Sequence, residues 1–278
     1  MNIEITVAIT APDGTVHTED IGTLAKGSEN IGEIGLSIRE GKDLLLKLQQ
    51  EVVAMQCAAF CAERSFCPSC GRRLRAKARG QIRYRTVFGD VTVASPRFCH
   101  CPCQASAATT FSPLTELLPD HVAPELLWLE TKWASLVSFG VTAELLKDAL
   151  PIDRRLGPDT IRRHLGRVAA RMETELADER FSFIETSARQ REQLPNPEGP
   201  ITVGMDGGCI RSREDGQSHF EVTVGKSIPT DHPSRYLGLV QSHDDKPRRR
   251  LHEILKDQGW QENKPVTFMT DGGDTVIN

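Results

Sequence analysis

No run of eighteen or more apolar residues occurs in the 278-residue chain, so no membrane-spanning helix and no membrane partner are expected. The first residues, MNIEITVAIT, carry neither the basic start nor the apolar core of a secretory signal. The expected location is therefore the cytoplasm. No internal repeat is found. Nor is there an excess of positive charge: 34 Lys and Arg stand against 38 Asp and Glu, a net charge of −4, so the average charge does not advertise a nucleic-acid partner. What remains is a globular composition, 38% hydrophobic and 26% charged.

The average hides local charge. Between Arg72 and Arg97 stand Arg72, Arg73, Arg75, Lys77, Arg79, Arg83, Arg85 and Arg97, with Asp90 as the sole acid. A second basic group comprises Arg154, Arg155, Arg162, Arg163, Arg167 and Arg171. Segregated charge of this kind can contact phosphates on an acidic chain, although a solvated face has the same signature.

Periodicity divides the chain into four segments. Residues 1–66 begin with alternating IEITVAI, a turn at APDG and a return strand in TVHTEDI. A long amphipathic helix follows over 40–64. Its stripe of Leu45, Leu48, Val52, Met55 and Ala59 is expected to pack in the core or against a second subunit, as in a homodimer. Residues 67–120 hold a cysteine unit and a linker read over 104–120. Residues 121–190 are helical, with helices expected over 123–139, 141–150 and 160–181. Asp159 is positioned to cap the last of these. Pro195, Pro197 and Pro200 mark a boundary near 186–200. In the last segment, 200–278, the order is strand (201–206), strand (219–226), strand (236–242), helix (248–258, closed by Gly259) and strand (266–271), an α/β pattern. The whole reads as a multidomain α+β protein.

The cysteines cluster between Cys57 and Cys103, with Cys209 apart. Short spacings in a reducing compartment favour metal over disulfides. Cys67-Pro-Ser-Cys70-Gly has the spacing by which two thiolates reach one Zn²⁺, and the glycine permits the tight turn. Cys101 and Cys103 best supply the second pair, with Cys99 or His100 as alternatives. Between the pairs, QIRYRTVFGDVTVASPRF reads as a hairpin turning at Phe88-Gly89-Asp90, which gives a zinc-ribbon-like unit with a structural Zn²⁺. Arg72, Arg73, Arg75, Lys77, Arg79, Arg83 and Arg85 would then track a DNA backbone. Cys57 and Cys61, four apart on the long helix, are expected to be packing residues. VTAELLKDAL and TIRRHLGRVAARM form a helix-turn-helix-like pair, with Arg162, Arg163 and Arg167 on accessible faces that would fit a DNA major groove. A plain helical hairpin is the rival reading.

Two acids stand at strand ends, Asp206 in VGMDGG and Asp271 in MTDGGD. If the first and fourth strands are neighbours, the two carboxylates meet and can bind Mg²⁺ or Mn²⁺, which activate water and stabilise a leaving phosphate oxygen. Asp-Gly is also a common turn pair. Asp274 is a candidate auxiliary acid.

The runs FGDVTVASPRFCHCPCQ, FSPLTELLPD, ELLWLETKWASLVSFGVTAELL, VGMDGGCIRSRE, HFEVTVGK and TDGGDTV, in that order, resemble the ISKra-type insertion-sequence transposases of the DDE class. The resemblance covers nearly the whole chain. It implies an incomplete ribonuclease H-like α/β domain over 200–278, in which Asp206 and Asp271 match the first two acids of an Asp-Asp-Glu triad. The third acid is expected beyond Asn278, so the chain is expected not to transpose DNA alone. The resemblance also favours Cys101 and Cys103 over Cys99. The implied activity is metal-dependent cleavage and strand transfer of double-stranded DNA at element ends and target. Two rivals are a DNA-binding remnant that represses by occupying those ends, and an unrelated zinc-ribbon regulator.

Overall fold

A computed structural model describes residues 1–11, 14–27, 29–104, 109–152, 155–176, 178, 199–212, 219–240 and 244–271. The chain forms two compact units, Met1–Ala170 and Arg171–Asn278. The first two segments expected from the sequence and residues 121–170 of the third thus share one unit. Most of the boundary read at 186–200, together with Arg154, Gly272, Gly273 and Asp274, lies outside the described residues.

In the first unit, β1 (Asn2–Thr10) and β2 (Val16–Ala25) form an antiparallel hairpin. Helix α1 (Ile38–Glu63) opens on a capping box. The Ser37 side chain accepts from the Glu40 backbone, and the Glu40 carboxylate accepts from the Ser37 N–H. Lys26 also reaches Glu40, at 2.5 Å, tying the end of the hairpin to the start of the helix. The hydrogen bond from Lys26, with those from Ser37, holds the Glu40 carboxyl down at about 2.

The buried face of α1 differs from the expected stripe. Leu45 and Ala59 are exposed, and Leu48, Val52 and Met55 only partly covered. Val53, Cys57 and Cys61 are buried instead, against Val91, Val93 and Leu114. Those three repeat every four residues, and the sheet beneath is met by that row, one position round the helix from the stripe of larger side chains. Cys57 and Cys61 are therefore packing residues, and burial pushes both thiols up.

Strands β3 (Ala76–Thr86), β4 (Gly89–Cys99) and β5 (Thr110–Phe111) form one antiparallel sheet. Val87 and Phe88 make its tight turn, followed by Gly89 at φ 107. A Cβ on Gly89 would sit 2.3 Å from Leu46 Cδ1 and 3.0 Å from the Pro151 carbonyl oxygen, so both conformation and close approach require glycine. The stretch read as linker holds β5 and the short helix α2 (Pro113–Leu117), because Leu114 is fully buried under α1 and β4.

Three helices complete the unit: α3 (Pro124–Ala134), α4 (Phe139–Ala149) and α5 (Pro158–Glu175). The helix expected over 123–139 stops early, since Ser138 caps α4 by accepting from the Val141 N–H at 3.4 Å. Asp159 is not the cap of α5. Pro158 already takes the first helical position, which leaves Asp159 in the first turn, where its charge complements the helix dipole. Ala143, Leu146, Leu156 and Ile161 form the core of these helices.

The second unit is a four-stranded sheet in the order β8-β7-β6-β9: β6 (Ile201–Arg211), β7 (His219–Pro229), β8 (Arg235–Val240) and β9 (Val266–Met269). Strands β6, β7 and β8 pair antiparallel, and β9 joins β6 in parallel. Helix α6 (Pro247–Asp257) makes the crossover, packing Leu255 on Ile201 and Val203. Its end carries Gly259 at φ 73, whose N–H reaches the Lys256 carbonyl, the glycine stop read from the sequence.

Candidate metal centre and basic cleft

The knuckle is built by backbone turns. Cys67 N–H donates to the Arg72 carbonyl at 2.8 Å, and Gly71 N–H to the Cys67 carbonyl at 2.9 Å, with Gly71 at φ 68. The second loop closes by Gln104 N–H donating to the Cys101 carbonyl at 2.9 Å. Strands β3 and β4 hold the two loops together. Leu74 and Phe98 pack beneath Cys67 and Cys101, with Phe111 alongside.

The sulfurs of Cys67, Cys70, Cys101 and Cys103 all lie within 4.8 Å of one another. Three separations are 3.5 Å (Cys67–Cys103), 3.6 Å (Cys70–Cys101) and 3.5 Å (Cys70–Cys103). A tetrahedral ion with metal–sulfur bonds of about 2.3 Å sets its sulfurs about 3.8 Å apart, so the quartet can hold a metal ion such as zinc with little movement. Cys99 lies outside it, with its sulfur 3.6 Å from Arg75 Nη2. The His100 ring packs on Phe111 at 4.8 Å. The open choice of second pair thus resolves to Cys101 and Cys103.

Charge on the quartet is shared. Burial pushes the Cys67 thiol up, but hydrogen bonds from the Cys70 and Ser69 N–H groups and from the Cys103 and Cys70 thiols outweigh it and bring it to about 6. The neighbouring thiols of Cys101, Cys67 and Cys70, together with burial, push Cys103 up to about 12. The shifts of Cys67 and Cys103 belong to the cluster rather than to either residue alone, and a bound cation would favour the thiolate form.

The arginines divide by place. Arg72, Arg73 and Arg75 are exposed around the knuckle. On β3, Arg79, Arg83 and Arg85 lie on the face opposite Ile82 and Tyr84, which pack against the α1 core, while Lys77 sits at a register shift between Ala76 and Ala78. Arg83 pairs with Asp90 across the hairpin. Arg85 N–H donates to the His121 carbonyl at 2.9 Å, and Ala123 N–H to the Arg85 carbonyl at 2.7 Å, which draws residues 121–123 along the edge of β3. That segment and α5 close a cleft of about 410 Å³, into which Arg83, Arg85, Arg163 and Arg167 all face. The two basic groups, some eighty residues apart in sequence, meet there. Arg167 pairs with Asp120 at 3.0 Å. Arg162 is exposed and does not line the cleft.

Beneath it, His164 Nδ1 lies 2.6 Å from Glu130 Oε2, both side chains being buried. The other oxygen, Glu130 Oε1, meets no hydrogen-bond partner among the described residues. Sequence reasoning does not anticipate this pair, although a signal for it exists: His164 lies three residues after Ile161 and four before Val168, on the apolar side of α5.

Asp206 does not end its strand. Strand β6 runs on to Arg211, because β7 continues to pair with it as far as Arg211↔His219. The first and fourth strands are neighbours, with Gly204 paired to Met269. Strand β9 ends at Met269, so Asp271, expected at its end, lies two residues beyond it, while Asp206 lies two residues past Gly204 within β6; both are exposed.

No family model matches the chain. No curated protein matches it either. The geometry therefore carries the functional reading by itself. Among the described residues it provides a compact four-cysteine site and an arginine-lined cleft in the first unit, and in the other unit one carboxylate within β6 and one just past the end of β9.

Proposed function

We propose that this chain belongs to a DNA transposase of the ISKra-type insertion-sequence kind, acting on double-stranded DNA. The observation that supports the reading is the parallel pairing of β6 with β9 as far as Gly204↔Met269, with the exposed Asp206 two residues further along β6 and the exposed Asp271 two residues past the end of β9. Such a pair suits Mg²⁺ or Mn²⁺, and the glycines after Asp206 leave room for a phosphodiester. In a complete site the ions would activate water to cut one strand, and the freed 3′ hydroxyl would attack target DNA. The mixed sheet is read as ribonuclease H-like. Zn²⁺ on Cys67, Cys70, Cys101 and Cys103 is structural, since four protein ligands leave no position for a reacting water. It fixes the hairpin whose arginines, with Arg162, Arg163 and Arg167, bind DNA.

DNA binding is the activity that the arginines of the first unit support directly. The gathering of the basic residues in the first unit also supports the second reading, a repressor that occupies element ends without cutting.

The test is a gel-shift titration of the full chain with the DNA flanking its gene, against random duplex, with and without a zinc chelator. Zinc-dependent preference for the flanking DNA is expected. Binding indifferent to both sequence and zinc overturns the proposal. Mn²⁺ binding followed by electron paramagnetic resonance is expected to be lost in Asp206→Asn and in Asp271→Asn. Unchanged Mn²⁺ binding in both variants removes the carboxylate site from the reading.

A further inference from the structure

We infer that the cleft between β3 and α5 is a two-sided clamp for one strand of a DNA duplex, with Arg85 and Arg163 gripping the same stretch of phosphodiester backbone from opposite walls. The inference rests on the DNA-binding part of the proposed function and specifies how that binding is made.

Four guanidinium groups face this cleft, and two are already engaged: Arg83 by Asp90 and Arg167 by Asp120. Among the described residues no carboxylate lies within ion-pairing distance of Arg85 or Arg163. One projects from β3 and the other from α5. Two cations that face one cleft, each without an ion pair of its own among the described residues, repel each other and are relieved by an anion placed between them. A phosphodiester offers two charged oxygens, one to each wall, and an arginine can grip such oxygens with paired N–H donors.

The occupant is a polyanion rather than a small one because the charge does not stop at the cleft. Arg79 and Arg83 continue along the same face of β3, with Gln81 between them and alternate residues about 6.7 Å apart. A strand of backbone lying along that row enters the cleft at Arg85.

This arrangement gives α5 a different part from that of a groove-reading helix. Its Ile161 and His164 are buried, the latter on Glu130 of α3, while Arg163 and Arg167 face the cleft. A face turned towards its own protein's strand cannot also be laid in a major groove. Of the three arginines expected to read DNA from α5, Arg162 alone is outside the cleft. The clamp therefore reads the backbone, and Asp120 sets its strength by competing with phosphate for Arg167.

The test is fluorescence anisotropy of the full zinc-loaded chain with a labelled flanking duplex over a salt series, using Arg85→Gln, Arg163→Gln and the double variant. Each single change is expected to weaken binding on the order of tenfold. Each should also flatten the dependence of log affinity on log salt by about 0.9 for every phosphate that is no longer neutralised. Because both arginines hold one stretch, the double variant is expected to bind nearly as well as the weaker single. Effects that multiply show that the two arginines act separately, and overturn the clamp while leaving DNA binding intact. Asp120→Asn is expected to tighten binding, a direction that misfolding does not mimic; unchanged or weaker binding counts against the clamp. Inorganic phosphate at fixed ionic strength is expected not to displace the duplex. Displacement that disappears in Arg163→Gln makes the cleft a free-phosphate pocket instead. Failure of the unaltered chain to bind any duplex overturns the proposed function itself.

Discussion

Cys99 and Cys101 are two residues apart at the end of one strand, yet only Cys101 turns into the quartet, where it is buried with Cys67. Cys101→Ser is expected to abolish stoichiometric zinc, measured by mass spectrometry of the purified chain, and to lower the melting temperature of the first unit. Cys99→Ser should keep one zinc per chain. At this scale the cysteine spacing limits the second pair to a few candidates, but the choice among them depends on the direction of side chains at the end of β4. The Lys26–Glu40 pair is less legible, because its partners come from different elements. Glu40 is held at about 2, below its ordinary 4.5, so its contribution to stability is full above about pH 4.5 and is lost as the pH falls through about 2. In Lys26→Ala the Glu40 side-chain carbon, followed by nuclear magnetic resonance, should titrate closer to the ordinary value. A midpoint that stays near 2 would mean that the Ser37 hydrogen bonds alone are responsible.

At the scale of elements, the strand and helix order is readable from periodicity, and the faces are not always so. The α1 stripe misleads because the residues that pack are a valine and two cysteines, less conspicuous than the leucines beside them. The end of β6 misleads because the Gly-Gly after Asp206 suggests a turn, while the β7 ladder overrides that local preference. Gly89 shows an element held by one residue. Gly89→Ala is expected to cost about 1–3 kcal/mol in urea denaturation, since the new methyl must push Leu46 or the turn itself aside. Helix α5 is fastened to α3 by the His164–Glu130 contact. His164→Ala leaves that buried carboxyl without its partner and should destabilise the first unit by about 1–3 kcal/mol. An unchanged denaturation midpoint would show that water takes the place of the imidazole.

At the scale of the molecule, the sequence suggests four segments, and packing joins the first two and most of the third into one unit. Their interfaces are not visible in any single window. The cleft is the clearest case, for its two walls are basic groups that the sequence presents as unrelated faces. Hydrogen exchange should separate the two units. Chelation of zinc is expected to raise exchange over Cys67–Gln104 and to leave the β6–β7 amides at their former rate. Equally faster exchange in both units would mean that the metal governs the whole chain.

The cysteine quartet has one consequence for the hairpin it closes. Its ligands flank the open end of the β3–β4 ladder, two before β3 and two after β4, while the Val87–Phe88 turn closes the other end. Strand pairing is degenerate under a shift of one residue, and such a shift exchanges the two faces of a strand. Slipped by one, β3 would turn Ile82 and Tyr84 to water and drive Arg83 and Arg85 into the core. A metal ion joining both ends at the open side rejects that misalignment, because four sulfurs meet at one point in only one frame. It works as a proofreader of strand alignment, deciding on which side of the sheet the arginines emerge.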